Sequence, residues 1–246
     1  MPPIELDDGR ALLTWLVNPS GGLVGGDVVS CAVDLKDNAH VVVSSPSATR
    51  VYRSLSLPAT QHVSLRLGQG SILEWMPELT IPFAGSRYVQ RLEAKLAPGA
   101  TLVIWDAMAA GRIARGERWA FDDYTNDVCV QVASGARLID RAVARPGLWQ
   151  GTSDVMGEWN YSASLYVIGD AIGEATWDRL DSSLRSCARA WEGQGVLAGV
   201  SRSAAPGIVV KVLARSCPAL TRLYEGLWEA VRGMCWGRPR PDLRRY

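Results

Sequence analysis

Up to about residue 145 the chain runs as short apolar stretches separated by Gly, Pro, Asn and Asp, a pattern of β-strands and turns rather than helices. Ser64-Leu65-Arg66-Leu67, Ser71-Ile72-Leu73-Glu74-Trp75 and Asp127-Val128-Cys129-Val130-Gln131-Val132 alternate as pleated strands do. One turn-plus-strand unit recurs: Asn38-Ala39-His40-Val41-Val42-Val43, Gln69-Gly70-Ser71-Ile72-Leu73-Glu74, Pro98-Gly99-Ala100-Thr101-Leu102-Val103-Ile104 and Ser134-Gly135-Ala136-Arg137-Leu138-Ile139-Asp140. Spacings of about 30, 30 and 36 residues predict stacked units in a solenoid-like or β-helical body, each covering its neighbour's apolar face. The competing reading is an ordinary all-β protein that reuses Gly-Ala turns.

Beyond residue 150 the period changes. Tyr161 to Ile168 alternates as a strand, and Thr176 to Trp191 carries apolar residues at helical spacing. Val196–Arg202 and Gly207–Leu213 read as a hairpin across Ala205-Pro206-Gly207. A second amphipathic helix is predicted at Pro218 to Met234, striped by Leu220, Leu223, Tyr224, Leu227, Trp228 and Val231. The fold class expected is therefore mainly β: a β-helix-like body of stacked sheet over residues 1–150, and a C-terminal β-α-β-β-α part with two helices over 151–246, packed on the body. The stretch 146–160 has no distinct linker composition.

Composition narrows the function. With 246 residues, 48% of them hydrophobic, the chain can bury a core without a disulfide framework. A net charge of +1, spread along the chain, gives no basic stripe for nucleic acid; the Arg-rich end, Arg238 to Arg245, is the local exception. Five scattered cysteines, Cys31, Cys129, Cys187, Cys217 and Cys235, lack metal or redox spacing and fit a reducing, cytoplasmic compartment. No stretch reaches the roughly 18 consecutive apolar residues of a membrane span, and the N-terminus has no secretory pattern.

The period of two puts Glu74 on the face of Ile72, Asp106 on that of Leu102 and Ile104, and Asp140 on that of Leu138. Three carboxylates then point as core residues do, an expense that hints at a polar or hydrated interior; strand-end acids reaching solvent are the alternative. The Gly-rich run Asn18 to Asp27 matches neither dinucleotide nor P-loop patterns and suits a strand start with unusual backbone angles that fixes Asp27. Ser44 to Ser54, with Thr49, Arg50, Tyr52 and Arg53, could hold an anion or a partner's carboxylate. His40 and His62, the only histidines, identify no base for a serine nucleophile, and no His/Cys cluster offers a tight metal site. Catalysis by Asp106 and Asp140 flanking a substrate is the residual enzyme reading.

Taken in order, Asn18 to Asp27, Ser45-Pro-Ser-Ala-Thr-Arg-Val-Tyr-Arg-Ser54, Leu73-Glu-Trp-Met-Pro-Glu78 and Gly111-Arg-Ile-Ala-Arg-Gly-Glu117 resemble the motifs of the UreD (UreH) family of urease accessory proteins, over about residues 11–238. That resemblance implies a non-enzymatic maturation factor, a complex with UreF, UreG and apo-urease, no tightly bound cofactor, and a polar tunnel through which nickel passes. Positions falling on the family's tunnel are Asp27, Thr49, Asp106 and Asp140. An adaptor that holds UreF and UreG on urease without carrying nickel is the alternative, and a small-molecule-binding β-solenoid unrelated to urease a third. The short run before Asn18 departs from the family's usual pattern, which implies either an incomplete first sheet layer or a start codon assigned too late, and the Arg-Pro ending departs from it too; both bear on partner docking at the termini.

Overall fold

The computed structural model describes residues 3–149 and 155–243; residues 150–154, and Arg244 and Arg245 of the Arg-rich end, lie outside the described residues. The chain alternates between two sheets. Strands β2 (Ala11–Trp15), β4 (His40–Ser44), β7 (Ile72–Met76) and β10 (Thr101–Ala109) lie parallel in the first. Strands β3 (Val28–Leu35), β6 (Ala59–Leu67), β9 (Arg87–Leu96) and β11 (Asp123–Gln131) lie parallel in the second. Each passage across and back is one coil of a two-sheeted β-helix, and the short β5 (Thr49–Val51) and β8 (Thr80–Pro82) pair at its corner.

The coil repeat rests on a stack of left-handed turns. Asn38 (φ 59°), Gly70 (φ 65°) and Gly99 (φ 75°) reverse the chain at equivalent places, and the turns bond to one another through Asn38 N to Gln69 O (2.8 Å) and Gly70 N to Pro98 O (3.1 Å). The fourth sequence unit departs from this. Gly135 (φ 86°) turns a hairpin, so β12 (Arg137–Ala144) runs back antiparallel to β11 and ends the second sheet instead of starting a coil. The same Gly-containing turn serves both purposes because it sets only a local reversal, while the sheet that receives the next strand is decided by tertiary packing.

The first sheet continues into the C-terminal part. β13 (Tyr161–Gly169) pairs with β10 over its whole length, followed by β15 (Gly207–Ala214) and β14 (Val196–Arg202), all antiparallel; β1 (Ile4–Leu6) pairs with β2 at the other edge. Helices α1 (Glu174–Ala190) and α2 (Cys217–Trp236) cover the outer face of this sheet. Every residue of the α2 stripe read from sequence is buried, and Ser216 and left-handed Gly237 (φ 63°) cap its ends. The first sheet is thus buried on both faces: Leu73, Trp75, Leu102 and Ile104 pack between the sheets, while Val42, Val103 and Trp105 pack under the helices. No helix among the described residues is long and apolar enough to cross a membrane.

Candidate functional site

Between the two sheets the apolar core is interrupted by one polar layer. Gln61, Gln90 and Asn126 stand in register on β6, β9 and β11, and Asp106, Ser164 and Lys211 stand in register on β10, β13 and β15. Gln90 Nε2 donates to Asp106 Oδ1 (3.1 Å) and Asn126 Oδ1 (3.0 Å), and Asn126 Nδ2 donates to Asp106 Oδ2. The hydroxyl of fully buried Tyr88 donates to Gln61 Oε1 (2.8 Å). A continuous hydrogen-bonded ladder therefore crosses the inside of the β-helix, where most positions are aliphatic.

The ladder opens into a cavity of about 410 Å³ whose polar walls are Asp106, Asn126, Asp140, Ser164, Tyr166 and Lys211. β12, turned back by the hairpin at Gly135, brings Asp140 there. Its Oδ2 accepts from Tyr166 (2.7 Å) and pairs with the Lys211 ammonium, which also donates to Ser164 Oγ (3.0 Å). The two acids differ electrostatically. Burial pushes the Asp106 carboxyl above the usual range, against the pull of Gln90, Lys211 and Asn126, and the nearby Asp140 charge raises it further. Burial also acts upward on Asp140, but its hydrogen bonds to Lys211 and Tyr166 outweigh it and hold that carboxyl low.

The other two positions lie apart. Thr49 is in register with buried Thr80, itself in register with Met108 on the cavity wall, so Thr49 faces the same way two strands away. Asp27 precedes the edge strand β3, and its carboxylate caps a turn by accepting from Val24 N (2.9 Å); left-handed Gly26 lies within that turn and left-handed Gly21 just before it, unusual backbone angles of the kind the glycine pattern suggested. Neither residue lines the cavity.

Glu74 corrects the expected alignment of the three acids. It is in register with Val103, not on the Asp106 face, and points out of the β-helix toward α2. Completely buried, it accepts from Trp228 Nε1 and from Arg232 Nη1, and its Oε1 lies 2.6 Å from His40 Nε2. Arg232, also fully buried, pairs with Asp7 and donates to Pro239 O (2.7 Å), and Arg238 donates to His40 Nδ1 (3.0 Å). Two acids meet two arginines, so the cluster is balanced and serves as a clasp between body, helix and tail.

Sequence reasoning did not find Lys211, Tyr166, Gln90 or Asn126. Each looks like an ordinary strand residue, and only a polar residue at an inward parity could have marked Gln90 and Asn126. Among the described residues no group of three or more His, Cys, Asp and Glu is placed to hold a metal. The cavity instead offers two carboxylates, hydroxyls and the Asn126 amide oxygen, a donor set for weak, hydrated binding of a hard or borderline divalent ion.

A family model described as UreD urease accessory protein matches residues 2–245. The urease accessory protein UreD of Deinococcus radiodurans is 35% identical over 245 residues, covering 99% of this chain and 84% of that protein. Those of Anaeromyxobacter sp. (34% over 212 residues, 85% and 70% covered) and Herpetosiphon aurantiacus (31% over 253 residues, 99% and 88% covered) are similar in the same way. With a family match over nearly its whole length and relatives above 30% identity, the chain belongs to the UreD family of urease accessory proteins.

Proposed function

We propose that this chain is a cytoplasmic, non-enzymatic maturation factor that assembles with UreF, UreG and apo-urease and gives nickel a hydrated path to the urease active site. The observation that carries this reading is Asp106 and Asp140 in one cavity at the end of an internal polar ladder, in a member of a urease accessory family. Nickel is cargo here, and no tightly bound cofactor is required.

The chemistry suits transit. Asp106 and Asp140 supply negative potential, Ser164 and Tyr166 supply hydroxyls, and the Gln61–Gln90–Asn126 ladder supplies amide oxygens along the interior. An ion that keeps most of its water binds each group weakly, which favours passage over trapping. The Lys211 ammonium pairs with Asp140, sparing the cost of an unpaired, partly buried carboxylate. Its side chain is 51% exposed, so a divalent ion can displace the ammonium toward solvent. In this scheme Thr49 lies along the inner wall and Asp27 at the solvent edge, further steps on the same route.

The test is co-purification of the full chain with UreF, UreG and apo-urease, followed by a urease assay after nickel, bicarbonate and GTP are added. Assembly with nickel-dependent activation is expected. Absence of any association among folded components contradicts the maturation role.

A further inference from the structure

Three sequence motifs that the cation path leaves mostly unused converge on one face of the molecule. Strand β5 supplies Arg50 and is followed directly by Tyr52; the stretch after β10 supplies Gly111 to Glu117; and the Gly-rich run lies alongside β5, with Leu23 bridging to Val51. Gly22 is required there, because a Cβ would stand 2.6 Å from Tyr52 Cε2 and 2.7 Å from Arg50 O. Arg50, Tyr52 and the Gly111–Arg115 stretch line a pocket of about 550 Å³ on the outer side of β5, β8 and β10, while the Gly-rich run packs behind Arg50 and Tyr52 without lining it. Met108 lines the acidic cavity and the next residue, Ala109, lines this pocket, so the two sites occupy opposite faces of one strand.

The floor is apolar and aromatic. Tyr52 and Phe83 meet edge to face with centroids 5.1 Å apart, beside Ile81. Arg112 stacks on Phe83 at 4.3 Å and is held by Glu117, its Nε donating to Oε2 at 2.7 Å. Its charge is therefore already met, and it acts as part of the wall. Arg50 and Arg115 are different: both are exposed at the rim and make no ion pair among the described residues. An apolar centre rimmed by exposed guanidinium groups, Arg50 without an ion pair among the described residues and Arg115 acting on Glu117 only from beyond contact distance, has the anatomy of a protein interface. Planar guanidinium groups pair with carboxylates through two parallel hydrogen bonds.

We infer that this pocket docks an acidic segment of a protein partner, which sets an apolar side chain over Tyr52 and Phe83 and carboxylates on Arg50 and Arg115. The inference does not depend on the cation path, since the residues and the face are separate.

The experiment uses the full chain in the complex with UreF, UreG and apo-urease. Arg50→Glu with Arg115→Glu should weaken capture of one partner by about tenfold or more, with an unchanged Tm because both side chains are exposed, while Arg50→Lys with Arg115→Lys retains most of the affinity. A photo-crosslinking residue at Tyr52, with the captured peptide identified by mass spectrometry, should mark an acidic segment of that same partner. Wild-type capture of every partner by the charge-reversed chain overturns the inference. So does a crosslink to a segment without acidic residues, to nucleic acid or to a second copy, or the lack of any crosslink in an assembled complex.

Discussion

Asp106 and Asp140 share a cavity but affect folding in opposite ways. Asp106, its carboxyl raised by burial, binds its proton more readily in the folded than in the unfolded chain, so its contribution to stability falls as pH rises through the window between its unfolded and folded values. Asp140, held low by Lys211 and Tyr166, contributes stability above the unfolded carboxylate value and loses it as pH falls through its folded one. Unfolding free energy measured by denaturant titration across the acid range should therefore change its slope in opposite senses in Asp106→Asn and Asp140→Asn. The slope should become more positive with pH in the first and less positive in the second. Equal slopes in both variants and wild type would contradict the assigned environments. A raised carboxyl retained at the end of a polar ladder reduces stability, which is what a site kept for function does. Burial and then the Glu74 charge push the Cys235 thiol up to about 12, far from a reactive thiolate.

At the scale of elements, the stack of turns sets the spacing of the coils. Gly70 has φ 65° and a Cβ there would stand 2.7 Å from Asn38 Oδ1, so Gly70→Ala both strains the backbone and pushes on the preceding turn. It should cost about 1–2 kcal/mol, read as a lower denaturation midpoint at unchanged m-value; an unaltered midpoint would mean that the turn stack is not what fixes the repeat. These turns, the hairpin β14–β15 and both helices were legible in the sequence because each is encoded locally, by a left-handed Gly or Asn, by Ala205-Pro206-Gly207, and by apolar residues at helical spacing. Strand faces were legible only where one side meets solvent. In β6 or β9 alternation marks the inside, but β10 is buried along nearly its whole length with a core on either face, so apolar residues cannot say which parity looks inward. Glu74 was misaligned with Asp106 for that reason, Ile72 being apolar and yet on the helix-facing side. The hairpin that carries Asp140 was likewise hidden, since Ser134-Gly135-Ala136 reads like the coil turns.

Across the whole molecule, the clasp of Asp7, His40, Glu74, Arg232 and Arg238 joins residues from the start, middle and end of the chain, and nothing local announces it. Removing one member leaves buried charge undercompensated: Glu74→Ala leaves the fully buried Arg232 guanidinium with Asp7 and Pro239 O alone and Trp228 Nε1 without its acceptor, and should destabilise by about 3 kcal/mol. A change below about 1 kcal/mol in chemical denaturation would show that helix α2 is held by apolar packing alone. Such a variant should lose partner binding together with stability, whereas the cavity acids lie away from the clasp and should separate assembly from delivery. The measurement that bears most directly on the conduit is therefore the double variant Asp106→Ala and Asp140→Ala, carried through complex formation with UreF, UreG and apo-urease and then nickel-dependent activation. The account predicts a complex of normal composition whose urease is activated several-fold less than with the wild-type chain. Normal activation by the double variant in an intact complex would contradict a path through these acids and leave the adaptor role to explain the protein.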